Sequence, residues 1–347
     1  MMASQTSTNA PATAKLRTRP IVATIILFGG IGVLLLSLAL SISVGAADIR
    51  LSTVWEAVFQ FNPELTHHQI IKELRMPRAL AGALVGAAFA VAGAVMQGMT
   101  RNPLADSSLL GVNAGAGFML AICFAFFPSM SYMNLMFLSF AGAAVGLGLV
   151  YGIGSLARGG LTPVRLTLAG AAVGALLVAL AEGVAIYYQI GQDLAFWYAG
   201  GVAGTKWQQI EVIAPWILAG LLAAIMLSRS ITLLSLGDEV AAGLGQRTAL
   251  VKAGGVVIVL LLAGAAVSTV GAVGFVGLIV PHIARYLVGV DYRWIIPCSA
   301  VLGSLLVVFA DIGARMINPP TEVAIGAIIA MIGVPFFLYL ITRMRGE

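Results

Sequence analysis

Few side chains in this 347-residue sequence can do chemistry: 14 carboxylates, 19 lysines and arginines, three histidines and two cysteines. Arg75 and Arg78 stand in the motif RMPR before a long apolar run, and Asp311 precedes Arg315 by one helical turn in ADIGAR. On the outer face of a membrane such arginines would capture an acidic partner, since opposed charges fix register and raise encounter rates. Plainer alternatives stay open: interfacial anchoring by snorkelling for Arg75 and Arg78, and an i, i+4 ion pair for Asp311 with Arg315. Glu182 is the other acid inside an apolar run, and it is either a polar group of a pathway that also includes Gln189 or a charge paired within a bundle. No lysine follows a glycine, so there is no GxxxxGK[ST] loop to cradle a nucleotide phosphate. HExxH and GxSxG are missing too, which argues against intramembrane proteolysis. Cys123 and Cys298 lie in separate apolar runs without a CxxC or Cys/His cluster, and read as small buried side chains rather than a disulfide or a zinc site. His67 and His68 fall in an outer loop and read as solvated. His282 follows a proline with no second histidine nearby and reads as structural. No catalytic residue, metal site or bound cofactor is expected of the chain itself.

The elements that must position these residues follow from composition. The chain is 60% hydrophobic and 10% charged, with 41 glycines and a mean hydropathy of +1.01. A soluble domain carries roughly a quarter of its residues charged, so the solvent here is a lipid bilayer. Basic residues are scattered singly between apolar runs, which excludes a nucleic-acid surface. A helix needs about 20 apolar residues to cross a ~30 Å hydrocarbon core. The charge-free runs therefore predict an all-α polytopic membrane protein of about ten transmembrane helices. These are 21–47, 80–100, two within 107–157 divided at 128–131, 166–189, 212–228, two within 253–284, 295–310 and 323–342. The run 253–284 is too long for one crossing, and Gly271, Gly274, Gly277 and Pro281 offer places to break it before a short eighth span. Residues 1–20 read as a disordered cytoplasmic tail, 21–343 as the transmembrane domain and 344–347 as a second cytoplasmic tail. This orientation concentrates Lys and Arg on the cytoplasmic side. Gly82 with Gly86, and Gly111 with Gly115, have the spacing that lets helices approach closely. GAAFAVAGAV (86–95) echoes GAAVSTVGAV (264–273), which predicts an inverted repeat.

The longest cytoplasmic connection, 229–252, contains LSLGDEVAAGLG. Leu236, Val240 and Leu244 recur there at helical spacing, and Gly243 and Gly245 can end the helix. A short amphipathic helix in that place fills a loop or docks a soluble subunit, and the missing ATPase motif favours docking. The poverty of embedded acids argues against a secondary transporter.

Taken together, RMPRALAGALVGAAFAVAGAVMQGMTRNPLADSSLLGVNAGAG (75–117), LGDEVAAGLG (236–245), GFVGLIVPHIAR (274–285) and ADIGAR (310–315) closely resemble the permease subunits of iron-siderophore, haem and cobalamin ABC importers, the large ten-helix class. The resemblance runs from about residue 21 to 343. It implies a bacterial cytoplasmic-membrane protein whose pathway is completed by a second permease, either the same chain or a paralogue, and which works by alternating access. It implies two cytoplasmic ATPase subunits that use ATP and Mg, and an extracytoplasmic substrate-binding protein, a lipoprotein. Arg75, Arg78 and Arg315 look like the residues that receive acidic side chains of that protein. A coupling helix at about 235–245 would present Leu236, Gly237, Asp238, Glu239, Leu244 and Gly245 to the ATPase, its acids facing the partner or capping the helix start. DLAFWYAGGVAGTKW (193–207) looks most like permeases for ferric hydroxamate-type siderophores, with haem and cobalamin as alternatives. That segment is too short to span and belongs at the outer mouth of the pathway or in an interfacial aromatic belt.

Overall fold

The structure, a computed structural model, describes residues 18–45, 49–156, 163–319 and 321–344. Among the described residues every element is helical, and an isolated bridge joins Thr18 to Gly289. The tails 1–17 and 345–347 lie outside the described residues. In chain order the helices are α1 (Pro20–Ser43), α2 (Leu51–Phe59), α3 (Thr66–Ile70), α4 (Met76–Thr100), α5 (Val112–Phe126), α6 (Tyr132–Leu156), α7 (Pro163–Tyr187) and α8 (Gly191–Ala199). They continue as α9 (Trp207–Ser235), α10 (Asp238–Gly243), α11 (Thr248–Val259), α12 (Ala265–Val270), α13 (Val276–Val288), α14 (Tyr292–Met316) and α15 (Ile325–Met344). Seven segments are long and apolar enough to cross a bilayer: α1, the rod from α3 through α4, α6, α7, α9, the rod from α11 through α12, and α14. The shorter apolar helices α5, α13 and α15 bring the membrane segments to the ten expected. At 1.5 Å per residue α13 is only about 20 Å long, the short eighth span.

The α4 helix is the hub. Nearly all of it is buried, and it packs against α14, α9, α13 and α11. Its sequence explains why, because alanines and glycines put no bulk between backbones. A Cβ on Gly86 would strike the carbonyl of Gly303 in α14, and one on Gly93 would strike the carbonyl of Gly277 in α13. Lipid gives no hydrophobic force between helices, so such close approach is what holds them.

Three local features depart from expectation. The second span does not start at Leu80 but extends outward as one helical rod from Thr66. Pro77 cannot donate to the carbonyl a turn earlier, and the chain widens into a π turn at Ile71–Arg75 instead of breaking. The loop read as solvated is folded: α2 and the π turn pack Val54, Ala57 and Ile71 against Ile42, Ile49 and Ala79. His68 is 3% exposed there, its Nδ1 accepting from the Asn62 amide at 3.0 Å. Between α12 and α13 the break occupies 271–275, with Gly271 and Phe275 both at positive φ, while Gly277 and Pro281 stay inside α13. Gly93 and its counterpart in the sequence echo, Gly271, both admit a neighbouring backbone, Gly277 and Trp197 respectively, but Gly93 does so in mid-helix and Gly271 where a helix ends at φ 79°.

At the opposite end of α14 from Arg315, Asp291 caps the start of the helix. Burial pushes its carboxyl up, but hydrogen bonds from Arg293 and Thr232 win and hold it below the usual carboxylate range.

Candidate functional site

At the C-terminal ends of α1 and α14 and the N-terminal end of α4 the three arginines singled out by spacing meet. Arg75 donates from Nη1 to the carbonyls of Ile42 and Ser43, both at 2.7 Å. Arg315 donates from Nη1 to Ser41 O at 2.9 Å and Val44 O at 2.7 Å, and from Nη2 to the Ser41 hydroxyl at 2.7 Å. The last carbonyls of a helix have no partner within it and carry its negative dipole end, so two cations here complete α1. Arg78 directs Nε and Nη2 to Asp311 Oδ1 at 2.9 and 2.8 Å, and Nη1 to Glu322 Oε1 at 2.7 Å. Asp311, 1% exposed, is therefore shared, because Arg315 Nη2 also stands 2.9 Å from its Oδ2. That second contact is an ion pair without hydrogen-bond geometry, and Oδ2 has no donor.

Arg315 is 8% exposed and ties α14 to the end of α1, so its removal has a structural consequence. Arg315→Met is expected to lower stability by about 3 kcal/mol, the low end for breaking a buried pair, because Arg78 still partners Asp311. Thermal unfolding in detergent measures this. An unchanged melting temperature would show that the arginine carries no structural load.

Beside Arg78 lies an open cavity of about 850 Å³. Phe196, Trp197 and the 199–201 turn after α8 form one wall, and Thr321 to Ile325 at the entrance to α15 form the other. Tyr132 lines the cavity with its hydroxyl bound to Thr269 O at 2.7 Å. Residues of the segment 193–207 thus wall this cavity, and Trp207 at its end donates Nε1 to Lys72 O at 2.7 Å.

Glu182 is exposed on α7 and forms no ion pair among the described residues. Leu168, Leu176, Leu180 and Ile186 are bare on the same helix, and Gly174 and Gly183 have nothing within 4 Å of a built Cβ. Gln189, just past the helix at φ 58°, is exposed too. A carboxylate in a span is too costly to leave facing lipid, so this face of α7 belongs against water or another subunit.

At the opposite end lies α10, six residues rather than the ten of the expected motif, because Gly237 at φ 127° separates it from α9 and Gly245 turns left-handed after it. Leu236 and Leu244 therefore flank the helix instead of lying within it. They are nevertheless 48% and 64% exposed, with Val240 between them at 49%. Ala241 is buried beneath, Asp238 Oδ2 pairs with Lys252 Nζ at 2.8 Å, and Gln246 ties the exit to Ser230 O. Asp238 is thus anchored inside the chain, whereas Glu239 in the same first turn is exposed.

A bundle with a mouth at one end and a fixed apolar ridge at the other moves something through a membrane rather than reacting with it, which makes it a transmembrane permease. The chain belongs to the FecCD transport family, whose pattern matches residues 33–343. It is 56% identical to the iron(3+)-hydroxamate import system permease protein FhuB of Bacillus subtilis (strain 168), over 93% of this chain and 84% of that one. It is 43% identical to the iron-uptake system permease protein FeuB of the same organism, over 90% and 93%. Among solved structures, an inward-facing metal-chelate type ABC transporter superposes with a TM-score of 0.80 at 28% identity, covering 92% of this chain and 99% of that chain. The chain is thus a permease subunit of an ABC importer.

Sequence reasoning missed Glu322. Its signal was available: an acid in the short connection that follows the ADIGAR arginine, before the next apolar run.

Proposed function

We propose that the cargo is a ferric siderophore of the hydroxamate type, carried through a pathway that two permeases form by alternating access. The observation that carries the reading is the 56% identity to a hydroxamate permease over nearly the whole chain. The outer cavity, walled by Phe196, Trp197 and Tyr132 with polar groups at its rim, is consistent with a bulky organic chelate. The bare face of α7 with Glu182 and Gln189 lines the pathway and meets the second permease, which is another copy or a paralogue. Two ATPase subunits dock on α10 and its flanks, through Leu236, Gly237, Asp238, Glu239, Leu244 and Gly245, and they alone bind ATP and Mg. A lipoprotein on the outer side delivers the chelate to the rim formed by Arg75, Arg78 and Arg315.

Uptake into vesicles containing the permease and its ATPases tests this, with the binding protein outside. Ferric hydroxamate is expected to accumulate only with ATP inside, and well ahead of haem or cobalamin. Preferential uptake of haem or cobalamin would overturn the substrate, and uptake without ATP would overturn the mechanism.

A further inference from the structure

Arg78 and Arg315 face Asp311 and Glu322, so neither of these two cations waits for a carboxylate. An acidic side chain that comes to Arg78 from outside must therefore displace one already there. The two acids are not equivalent. Asp311 is 1% exposed, fixed within α14 and shared by both arginines. Glu322 is 39% exposed by its side chain, holds a single nitrogen of Arg78, and rides on the connection between α14 and α15. Among the described residues the other hydrogen bonds of that connection are local: Thr321 with Asn318, and the Val323 amide to Ala314 O. The same connection walls the cavity that Arg78 also lines. One exposed ion pair thus ties the cavity wall to α4.

We propose that Glu322 holds the place of a partner's carboxylate on Arg78. When an acidic side chain of the extracytoplasmic binding protein reaches the rim, it replaces Glu322 on Nη1, and the α14–α15 connection is released from the cavity mouth. The exchange is easy because a half-exposed pair is worth little, whereas the pair formed under a docked protein is shielded from water. Docking and opening of the mouth are then one event. This inference rests on the docking reading of Arg78 given above.

A double-mutant cycle tests it, using permease with its ATPases in lipid nanodiscs and a soluble form of the import system's binding protein as probe. E322Q is expected to tighten docking about two- to fivefold, the size of an exposed pair removed. E73Q, which removes an equal charge from an exposed position on the same rim, is expected to do less. In an R78Q background E322Q is expected to have no effect, so the two changes couple. A second readout follows the wall itself. Cys123 and Cys298 are buried, so a cysteine introduced by Ala324→Cys can be labelled with maleimide against a low background. Its labelling is expected to rise several-fold when the binding protein is added, and to be already high in E322Q. If R78Q leaves docking unchanged, the docking reading fails and the exchange with it. If R78Q weakens docking but E322Q matches E73Q, or if labelling is indifferent to the binding protein, docking stands and the exchange is overturned.

Discussion

Replacing Gly93 with leucine is expected to leave no stably assembled permease. A Cβ at this position would land on the backbone of Gly277, so the obstacle is a main chain and not the movable end of a side chain. Neighbours Ala92 and Ala94 are fully buried, and α4 is enclosed by α14, α9 and α13, so the helix has nowhere to retreat. Overpacking usually costs about 1–3 kcal/mol because side chains change rotamer to relieve it. Here neither backbone can do so, and the cost should exceed about 3 kcal/mol, a large share of the 5–15 kcal/mol that typically keeps a protein folded. Size-exclusion profiles and melting curves of Gly93→Leu beside Gly148→Leu provide the check, since Gly148 has open space where its Cβ would go. A monodisperse Gly93→Leu protein with an unchanged melting temperature would mean that α4 and α13 are not held by backbone contact.

That contact also marks how far the fold could be read in advance. Charge-free runs locate membrane crossings because the bilayer imposes one length on all of them. The seven long segments follow directly, and the short α13 follows from a run too long for one helix. Glycine spacing says that helices approach closely but not which ones. That Gly86 meets Gly303 and Gly93 meets Gly277 depends on tertiary arrangement across some 200 residues of sequence. The π turn before Pro77 and the left-handed Phe275 were equally hidden. Proline and glycine announce that regular hydrogen bonding must fail nearby without fixing whether the helix breaks, kinks or widens.

For the arginine cluster, residue type and spacing selected residues that the fold brings together and left the partners open. Arg75, Arg78, Asp311 and Arg315 drew notice because charge next to an apolar run is expensive. Only folding brings the end of α1 against α4 and α14, and this gives Arg75 and Arg315 carbonyls to satisfy that no local motif predicts. Glu322 carries no periodic signal and becomes meaningful once Arg78 is seen beside it. The inner ridge was more legible. Leu236, Val240 and Leu244 lie close in sequence, and their exposure survives even though Gly237 divides the expected helix.

That ridge carries the prediction with the largest effect on function. Three apolar side chains about half or more exposed lie outside the apolar spans, on the connection where the proposed function docks the ATPase. Each contributes about 1.5–3 kcal/mol if a partner buries it completely. A carboxylate in its place also brings a charge into the contact, so losing a central contact this way costs about 2–4 kcal/mol. Leu244→Glu is therefore expected to weaken ATPase docking about 30- to 1,000-fold and to bring ATP-driven uptake down to background. The same change should barely alter the melting temperature, because Leu244 is 64% exposed and the base of α10 is held separately by Asp238 with Lys252 and by Gln246 with Ser230. Co-purification of the ATPase with wild-type, Leu244→Ala and Leu244→Glu permease distinguishes an apolar contact from a polar one. Loss should grow from alanine to glutamate and respond little to salt, as burial of hydrocarbon requires. Full ATPase recovery with Leu244→Glu would move the coupling surface elsewhere. Recovery restored by high salt would make it electrostatic and shift attention to Glu239, the exposed acid of the same turn.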